Sequence, residues 1–182
     1  MRRRTAVAAA LGVALALALA GCKRKHPVVQ VIEEDRPKLA TVVRMADPQA
    51  AAQLLSGFYG VEGNAWRWTA ERFSVMLRPP RSAPLKGATL ELKLTVPDVV
   101  IAKLKTVSLS ATVNGMALGA EEYTKAGQYA YRRDLPAKLL PGDSARVDFI
   151  LNKSMPPTVA DNRPLGVIVA SVGLAPHGDS AP

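Results

Sequence analysis

The sequence predicts an all-β protein: an antiparallel β-sandwich, of the jelly-roll kind, with one short helix before the first core strand. Three observations predict it. From residue 66 onward, apolar residues alternate with polar ones in one stretch after another, which is the period of a half-buried strand. Prolines lie between these stretches, at Pro79-Pro80, Pro97, Pro136, Pro141-Gly142 and Pro156-Pro157, where they interrupt no ladder. No long stretch after residue 46 has the helical period. Seven or eight short strands with long loops make a sandwich, and a jelly roll suits them best.

The elements follow in order. Asp47-Pro48-Gln49 opens the short helix. Asp47 suits the N-cap and Pro48 the first turn, where a missing N–H costs nothing. AAAQLL carries the helix on and Ser56-Gly57 ends it. In RFSVMLR, Phe73, Val75 and Leu77 share a face. In ATLELKLTV, Leu90, Leu92, Leu94 and Val96 alternate with Thr89, Glu91, Lys93 and Thr95. In VSLSATV, Val107, Leu109, Ala111 and Val113 alternate with Ser and Thr. Asn114-Gly115 then signals a two-residue hairpin that returns through Met116-Ala117-Leu118. QYAYR, ARVDFIL and LGVIVASVGL supply three more strands, with Val147, Phe149 and Leu151 on one face of the second.

The ends have a different character. The chain opens MRRRTAVAAALGVALALALAGC, a basic start followed by an uncharged run from Thr5 to Ala20. As a helix that run would be about 24 Å long, short of a ~30 Å bilayer core. This is the pattern of an export signal that is removed. Leu19-Ala20-Gly21-Cys22 resembles the lipobox of bacterial lipoproteins. The resemblance implies cleavage before Cys22, a diacylglyceryl thioether on its sulfur and an acyl chain, such as palmitate, on its new amino group. Each buried methylene contributes about 0.8 kcal/mol to such an anchor. Lys23 follows in place of the aspartate that commonly retains lipoproteins in the inner membrane. In a host with two membranes the resemblance therefore implies the outer one, with the protein facing the periplasm.

The expected organisation is thus a signal over 1–21, a lipidated Cys22 with a tether over 22–46, a sandwich over 47–176 and a frayed tail over 177–182. Val28–Ile32 or Leu39–Val43 could instead add a strand. Removing the signal leaves 161 residues with 21 Lys and Arg against 15 Asp and Glu. The densest basic clusters are Lys23-Arg24-Lys25, beside the lipid, and Arg132-Arg133. The first suits anionic headgroups. No nucleic-acid-binding motif is present.

Composition excludes much chemistry. Cys22 is the only cysteine, so the domain has no internal disulfide and no thiolate metal site. The histidines are His26, in the tether, and His177, in the tail, so the domain carries no Ser-His-Asp triad and no histidine-rich metal site. There is no phosphate-binding glycine loop, and no cofactor is expected. Paired carboxylates remain open to a glycan hydrolase, with Glu62 opposite Glu121 or Glu122 as the pair to consider.

Two stretches carry a resemblance. The first is Gly57-Phe58-Tyr59-Gly60-Val61-Glu62 with Trp66-Arg67-Trp68-Thr69. The second is Asp161-Asn162-Arg163-Pro164-Leu165-Gly166-Val167, leading into Ile168–Leu174. Together, over residues 55–175, they resemble galactose-binding-like β-sandwich domains found with bacterial proteins of glycan biosynthesis. Asn162 and Pro164 depart from that pattern. The resemblance implies a fold and a carbohydrate setting, with no catalytic set.

Tyr59, Glu62, Asn64, Trp66, Arg67, Asn162 and Arg163 are the candidate ligand-binding residues. Trp66 and Trp68 are the only tryptophans. On one strand they share a face, with Arg67 on the other. Trp68 leads through Thr69-Ala70 toward Phe73 and is expected in the core. Trp66 follows a Gly63-Asn64 turn, and either the core or an open sugar-stacking position suits it. Glu62 and Arg67 are a candidate ion pair, and a loop is expected over 57–65. Asp161, Asn162 and Arg163 suit a sugar or calcium site, or a local turn in which Asp161 and Asn162 make the hydrogen bonds, and the turn is the favoured reading. The function read from sequence is a lipid-anchored, non-catalytic envelope protein that binds a glycan or a protein partner through loops at one end of the sandwich. The alternative is an accessory subunit of an envelope assembly that binds protein only.

Overall fold

The computed structural model describes residues 38–177. The signal, Cys22, Lys23-Arg24-Lys25, His26, the first part of the tether and residues 178–182 lie outside the described residues. Ten antiparallel strands form one curled sheet: β1 (Val42–Arg44), β2 (Leu54–Glu62), β3 (Trp66–Leu77), β4 (Ala88–Val96), β5 (Val107–Val113), β6 (Met116–Ala117), β7 (Glu121–Tyr123), β8 (Gly127–Leu135), β9 (Ala145–Leu151) and β10 (Ile168–Pro176). Two short helices, α1 (Ala83–Lys86) and α2 (Asp98–Leu104), fill connections.

The sheet becomes a sandwich because it forks at β3. On one side β3 pairs with β2 along its length. On the other, its first residues pair with β10, through Trp68↔Ile168, and its last six with β9, through Phe73↔Phe149. One leaf continues through β9 to β5, with β6 and β7 beyond it; the other continues through β10 to β4 and β8. The leaves meet over an aromatic core. Phe73 stacks on Phe149 at 4.9 Å, and Tyr131 of β8 reaches Phe149 edge-on at 6.4 Å.

The alternating stretches are the core strands, as expected. Phe73, Val75 and Leu77 are buried, as are Leu90, Leu92, Leu94 and Val96, then Val107, Leu109, Ala111 and Val113, then Val147, Phe149 and Leu151. Asn114 and Gly115 both have positive φ, 48° and 86°, and Val113 pairs with Met116 across the turn. That is the left-handed backbone a tight hairpin requires.

Four expectations are corrected. The sandwich begins before residue 47: Val42, Val43 and Arg44 pair with Gly173, Val172 and Ser171, so the strand reading of this stretch holds over the tether reading. Burial of Val43 and Met45 at 0 % exposure explains why. The short helix is a 3-10 helix, Pro48–Gln53, with Asp47 accepting from the Gln49 N–H at 2.9 Å; it stops at Gln53, short of Ser56-Gly57. Residues 57–62 belong to β2, so the stretch read as a loop is mostly strand. Its register against β3 shifts three times, which erases the alternation. Gly57 (φ 73°) sits in that irregular ladder, where a Cβ would lie 2.0 Å from the Arg72 carbonyl oxygen. Finally, His177 is fixed: its Nδ1 donates to the Lys86 carbonyl at 2.7 Å, and its Nε2 lies 3.4 Å from Asp134.

The strands span between two poles. At the proximal pole, where the described chain begins, lie residues 38–41, 78–87, 136–144 and His177. At the distal pole lie the β2–β3 turn, α2 and the 152–167 connection. A nine-residue strand separates the poles by roughly 30 Å.

Candidate functional site

The distal pole carries an arm, residues 155–165, between β9 and β10. Met155 and Leu165 clamp its base with two backbone hydrogen bonds, of 2.8 and 3.1 Å. Its tip is a turn in which the Thr158 N–H donates to the Asp161 carbonyl at 2.7 Å, and the Asp161 N–H to Thr158 Oγ1 at 3.1 Å. Pro156-Pro157 and Pro164 restrict the backbone between these clamps. Asp161 Oδ1 also accepts from the Arg163 N–H at 3.0 Å, the local turn its residue type suggested.

Arg163 joins the arm to the sheet. Its Nε and Nη2 donate to Asp161 at 2.9 and 2.8 Å, and its Nη1 to Glu62 of β2 at 3.0 Å. Its guanidinium lies 5.1 Å from the centre of the Tyr59 ring. Tyr59 in turn donates its hydroxyl to the Pro164 carbonyl at 2.8 Å. The hydrogen bonds from Arg163 pull the Asp161 carboxyl down from its ordinary 3.8 to about 2. The two carboxylates raise Arg163, Asp161 first and Glu62 second. Behind the arm, Gly166 and Thr69 form a buried seam. The Gly166 N–H donates to the Thr69 carbonyl, the Thr69 N–H to the Val167 carbonyl, and Thr69 Oγ1 bonds both the N–H and the carbonyl of Val167.

Between the arm and α2 runs a groove of about 550 Å³, lined by Trp68, Val99, Lys103, Met155, Pro156, Pro157, Thr158, Asp161, Arg163 and Leu165. Trp68 is half-buried: it packs against the core cluster and also lines the groove. It sits on the face opposite Phe73. In β3, Thr69, Phe73, Val75 and Leu77 are buried on one face, whereas Trp66, Trp68 and Arg72 share the other. Five residues separate Trp68 from Phe73, an odd number, which in a strand of period two changes the face. The expectation that Trp68 lies in the core holds only in part: it packs against the core cluster and also lines the groove.

The structure brings Tyr59, Glu62 and Arg163 together and does so with Asp161. Trp66 meets Trp68 edge-on at 6.5 Å, half-buried and outside the groove lining. Asn64, with φ 51°, serves the exposed turn between β2 and β3, next to Gly63 at 58°. Asn162 is exposed and takes part in none of the described hydrogen bonds. Arg67 is structural: its Nε donates to the Met45 carbonyl at 3.0 Å and its Nη1 to the Tyr59 carbonyl at 2.8 Å. It does not pair with Glu62, because the two leave their strands on different faces. Sequence reasoning missed the groove itself. Its walls come from α2 and from Met155–Leu165, which are adjacent only through the β9–β10 connection.

The paired-carboxylate arrangement does not form. Glu62 lies on β2 and is held by Arg163; Glu121 lies on β7 and is held by Arg133 at 3.2 Å. β3, β9 and β5 separate the two strands, about 19 Å at four strand spacings. Arg132-Arg133 is not a free basic patch either, since Arg132 pairs with Glu91 at 2.6 Å. Among the described residues, no group of three or more His, Cys, Asp or Glu could hold a metal ion.

No protein-family model and no curated protein matches the chain. Solved structures resemble it at low sequence identity. The CBM36-1 domain of a multidomain xylanase from the hindgut metagenome of Trinervitermes trinervoides is 11 % identical, with 76 % of this chain and 98 % of that one covered and a TM-score of 0.44. The mannan-recognising carbohydrate-binding module TmCBM27 is 14 % identical, with 76 % and 97 % covered and a TM-score of 0.45. A family 35 carbohydrate-binding module from Clostridium thermocellum is 10 % identical, with 74 % and 97 % covered and a TM-score of 0.42.

Proposed function

We propose that the protein is a non-catalytic, lipid-anchored envelope protein that binds a glycan in the distal groove. The observation that carries this is Trp68 in a groove whose other wall holds Asp161 and Arg163. A pyranose has an apolar C–H face and a rim of hydroxyls. An indole ring offers a flat apolar partner to the first. Charged side chains already fixed in place offer directional hydrogen bonds to the second. Asp161 holds Arg163 by a fork, so both enter binding with their rotamers set, and little ordering cost remains. The acyl anchor on Cys22 and the outer-membrane, periplasm-facing position belong to the same proposal and rest on the lipobox resemblance.

The test is glycan-array binding and calorimetry on the purified protein, with Trp68→Ala and Arg163→Gln variants. We expect Trp68→Ala to weaken binding at least tenfold while the melting transition stays cooperative. No sugar binding by the unaltered protein would overturn the glycan reading. One observation favours a protein partner instead. Val99 and Val159, on the two sides of the groove, are 54 % and 110 % exposed. An envelope pull-down that requires both valines, with no sugar signal, would establish that reading.

A further inference from the structure

We propose that the proximal pole is a docking face for an anionic lipid surface, which turns the distal groove away from the membrane. The proposal rests on the acyl-anchor reading of Cys22.

Four facts converge at this pole. First, the described chain arrives here. Lys38 precedes Ala40, whose carbonyl accepts from the Arg78 N–H at 3.0 Å and whose N–H donates to Gln53 at 2.8 Å. From Cys22 to Lys38 is only sixteen residues; even fully extended they reach about 55 Å, and a flexible chain of that length spans about 20–25 Å. The segment that carries Cys22 therefore joins the sandwich at this pole, within sixteen residues of it.

Second, the pole is basic. Lys38, Arg81, Lys86 and Lys138 are exposed and Arg78 is half-exposed. None of these five cations takes part in any described salt bridge. Among the described residues, the carboxylates at this pole are Asp143 and Asp134, and Asp134 is engaged by Thr89 and His177. At the distal pole Lys103, Lys105 and Lys153 are likewise outside the described salt bridges, but Arg163 is held by two carboxylates and the acidic Asp98 begins α2.

Third, the pole presents an apolar tip. Leu85, on α1 between Arg81 and Lys86, is 88 % exposed. Helix α1 is fixed from both sides. The Gly87 N–H bonds the Ala83 carbonyl, and the Lys86 carbonyl takes the His177 Nδ1–H. α1 also packs beside the 3-10 helix Ala137–Leu139, which bears Lys138. A leucine ringed by cations on a fixed turn matches the layered chemistry of a membrane surface, with phosphates outside and acyl chains beneath. A soluble acidic protein would match the cations and leave Leu85 without a partner.

Fourth, the geometry is consistent with the groove. With about 30 Å between the poles, contact at Leu85 places the Trp68 groove well beyond the headgroups, outside the ~10 Å reach of the surface field at 0.1 M salt.

The test uses the processed, acylated protein on vesicles of phosphatidylcholine alone or mixed equally with phosphatidylglycerol, read by flotation and by hydrogen–deuterium exchange. Each cation near such a surface is worth about fivefold in partitioning. We expect amides of residues 80–87 and 137–142 to exchange at least fivefold more slowly on the mixed vesicles than on phosphatidylcholine, and residues 155–165 to exchange alike on both. The triple variant Arg81→Gln, Lys86→Gln, Lys138→Gln should float equally well yet lose that protection. All three side chains are exposed, and an unchanged melting curve certifies the fold. Leu85→Asp should lose it as well. Flotation with no protection, equal protection on both lipids, or protection of 155–165 would overturn this proposal and leave the anchor standing. Failure to float on either lipid would overturn the anchor and the docking face together.

Discussion

The two poles of the sandwich are each locked by one buried polar side chain, yet they differ in what that lock holds. At the proximal pole Gln53, 5 % exposed, bonds the N–H and carbonyl of Ala40 and the carbonyl of Met76. It fastens the arriving chain to β3, behind a surface on which Lys38, Arg78, Arg81, Lys86 and Lys138 are in no described salt bridge. At the distal pole Thr69, 0 % exposed, bonds both backbone groups of Val167. It fastens the base of an arm whose charges are paired to one another through Arg163. The difference teaches where binding free energy is available. Paired, pre-positioned charges flanking a groove suit a neutral polyol. Unpaired cations around an exposed leucine suit an extended anionic surface.

The comparison can be tested lock by lock. The largest effect is expected from Gln53→Met, which keeps the volume but strips partners from three backbone groups. Burying such groups unpaired costs about 1–3 kcal/mol each where water cannot replace the bond. Because Ala40 lies near the surface, we expect a total of about 3 kcal/mol, read as a lower urea midpoint at constant slope. A loss below about 1 kcal/mol would mean that the arriving chain is not held by Gln53. Thr69→Val should cost less, about 2 kcal/mol, since the Thr69 N–H to Val167 and Gly166 N–H to Thr69 bonds survive it. If it cost more than Gln53→Met, the distal lock would be the stronger one.

The smallest effect concerns the arm alone. Asp161 has its carboxyl depressed from 3.8 to about 2 by Arg163. A depressed acid contributes stability that is fully present above its ordinary value and is lost as pH falls through the folded value. The arm should therefore keep its order down to pH 4 and loosen as pH falls toward 2. Trp68 fluorescence reports this directly, with Trp66→Phe isolating the signal. In Arg163→Gln the transition should move up toward 3.8, while the global melting temperature falls by no more than a few degrees, as expected for a partly exposed ion pair. An unmoved transition would separate Asp161 from Arg163.

Much of this fold was legible in the sequence, and the reason is particular. In ATLELKLTV and VSLSATV each strand has one neighbour-independent instruction, apolar in and polar out, and the structure obeys it residue by residue. Asn114-Gly115 encodes its own turn. By contrast, LLSGFYGVE of β2 carries no alternation, because three register shifts against β3 break the period. β1 is three residues long and owes its place to β10, too little to announce itself. Tyr59, Glu62 and Arg163 were chosen by residue type alone. Their true arrangement, with Arg163 and not Arg67 as the partner of Glu62, joins residues 101 apart in sequence.

The sequence by itself determined which residues form the inner faces, where several turns fall, and that no cysteine follows Cys22, since these depend on composition and local period. Only the tertiary structure decided which face Trp68 takes, which arginine holds Glu62 and Asp161, and that Arg78, Arg81, Lys86 and Lys138 gather at one end. Those outcomes depend on strand parity through a forked sheet and on contacts between distant segments, and neither is written in any local stretch of chain.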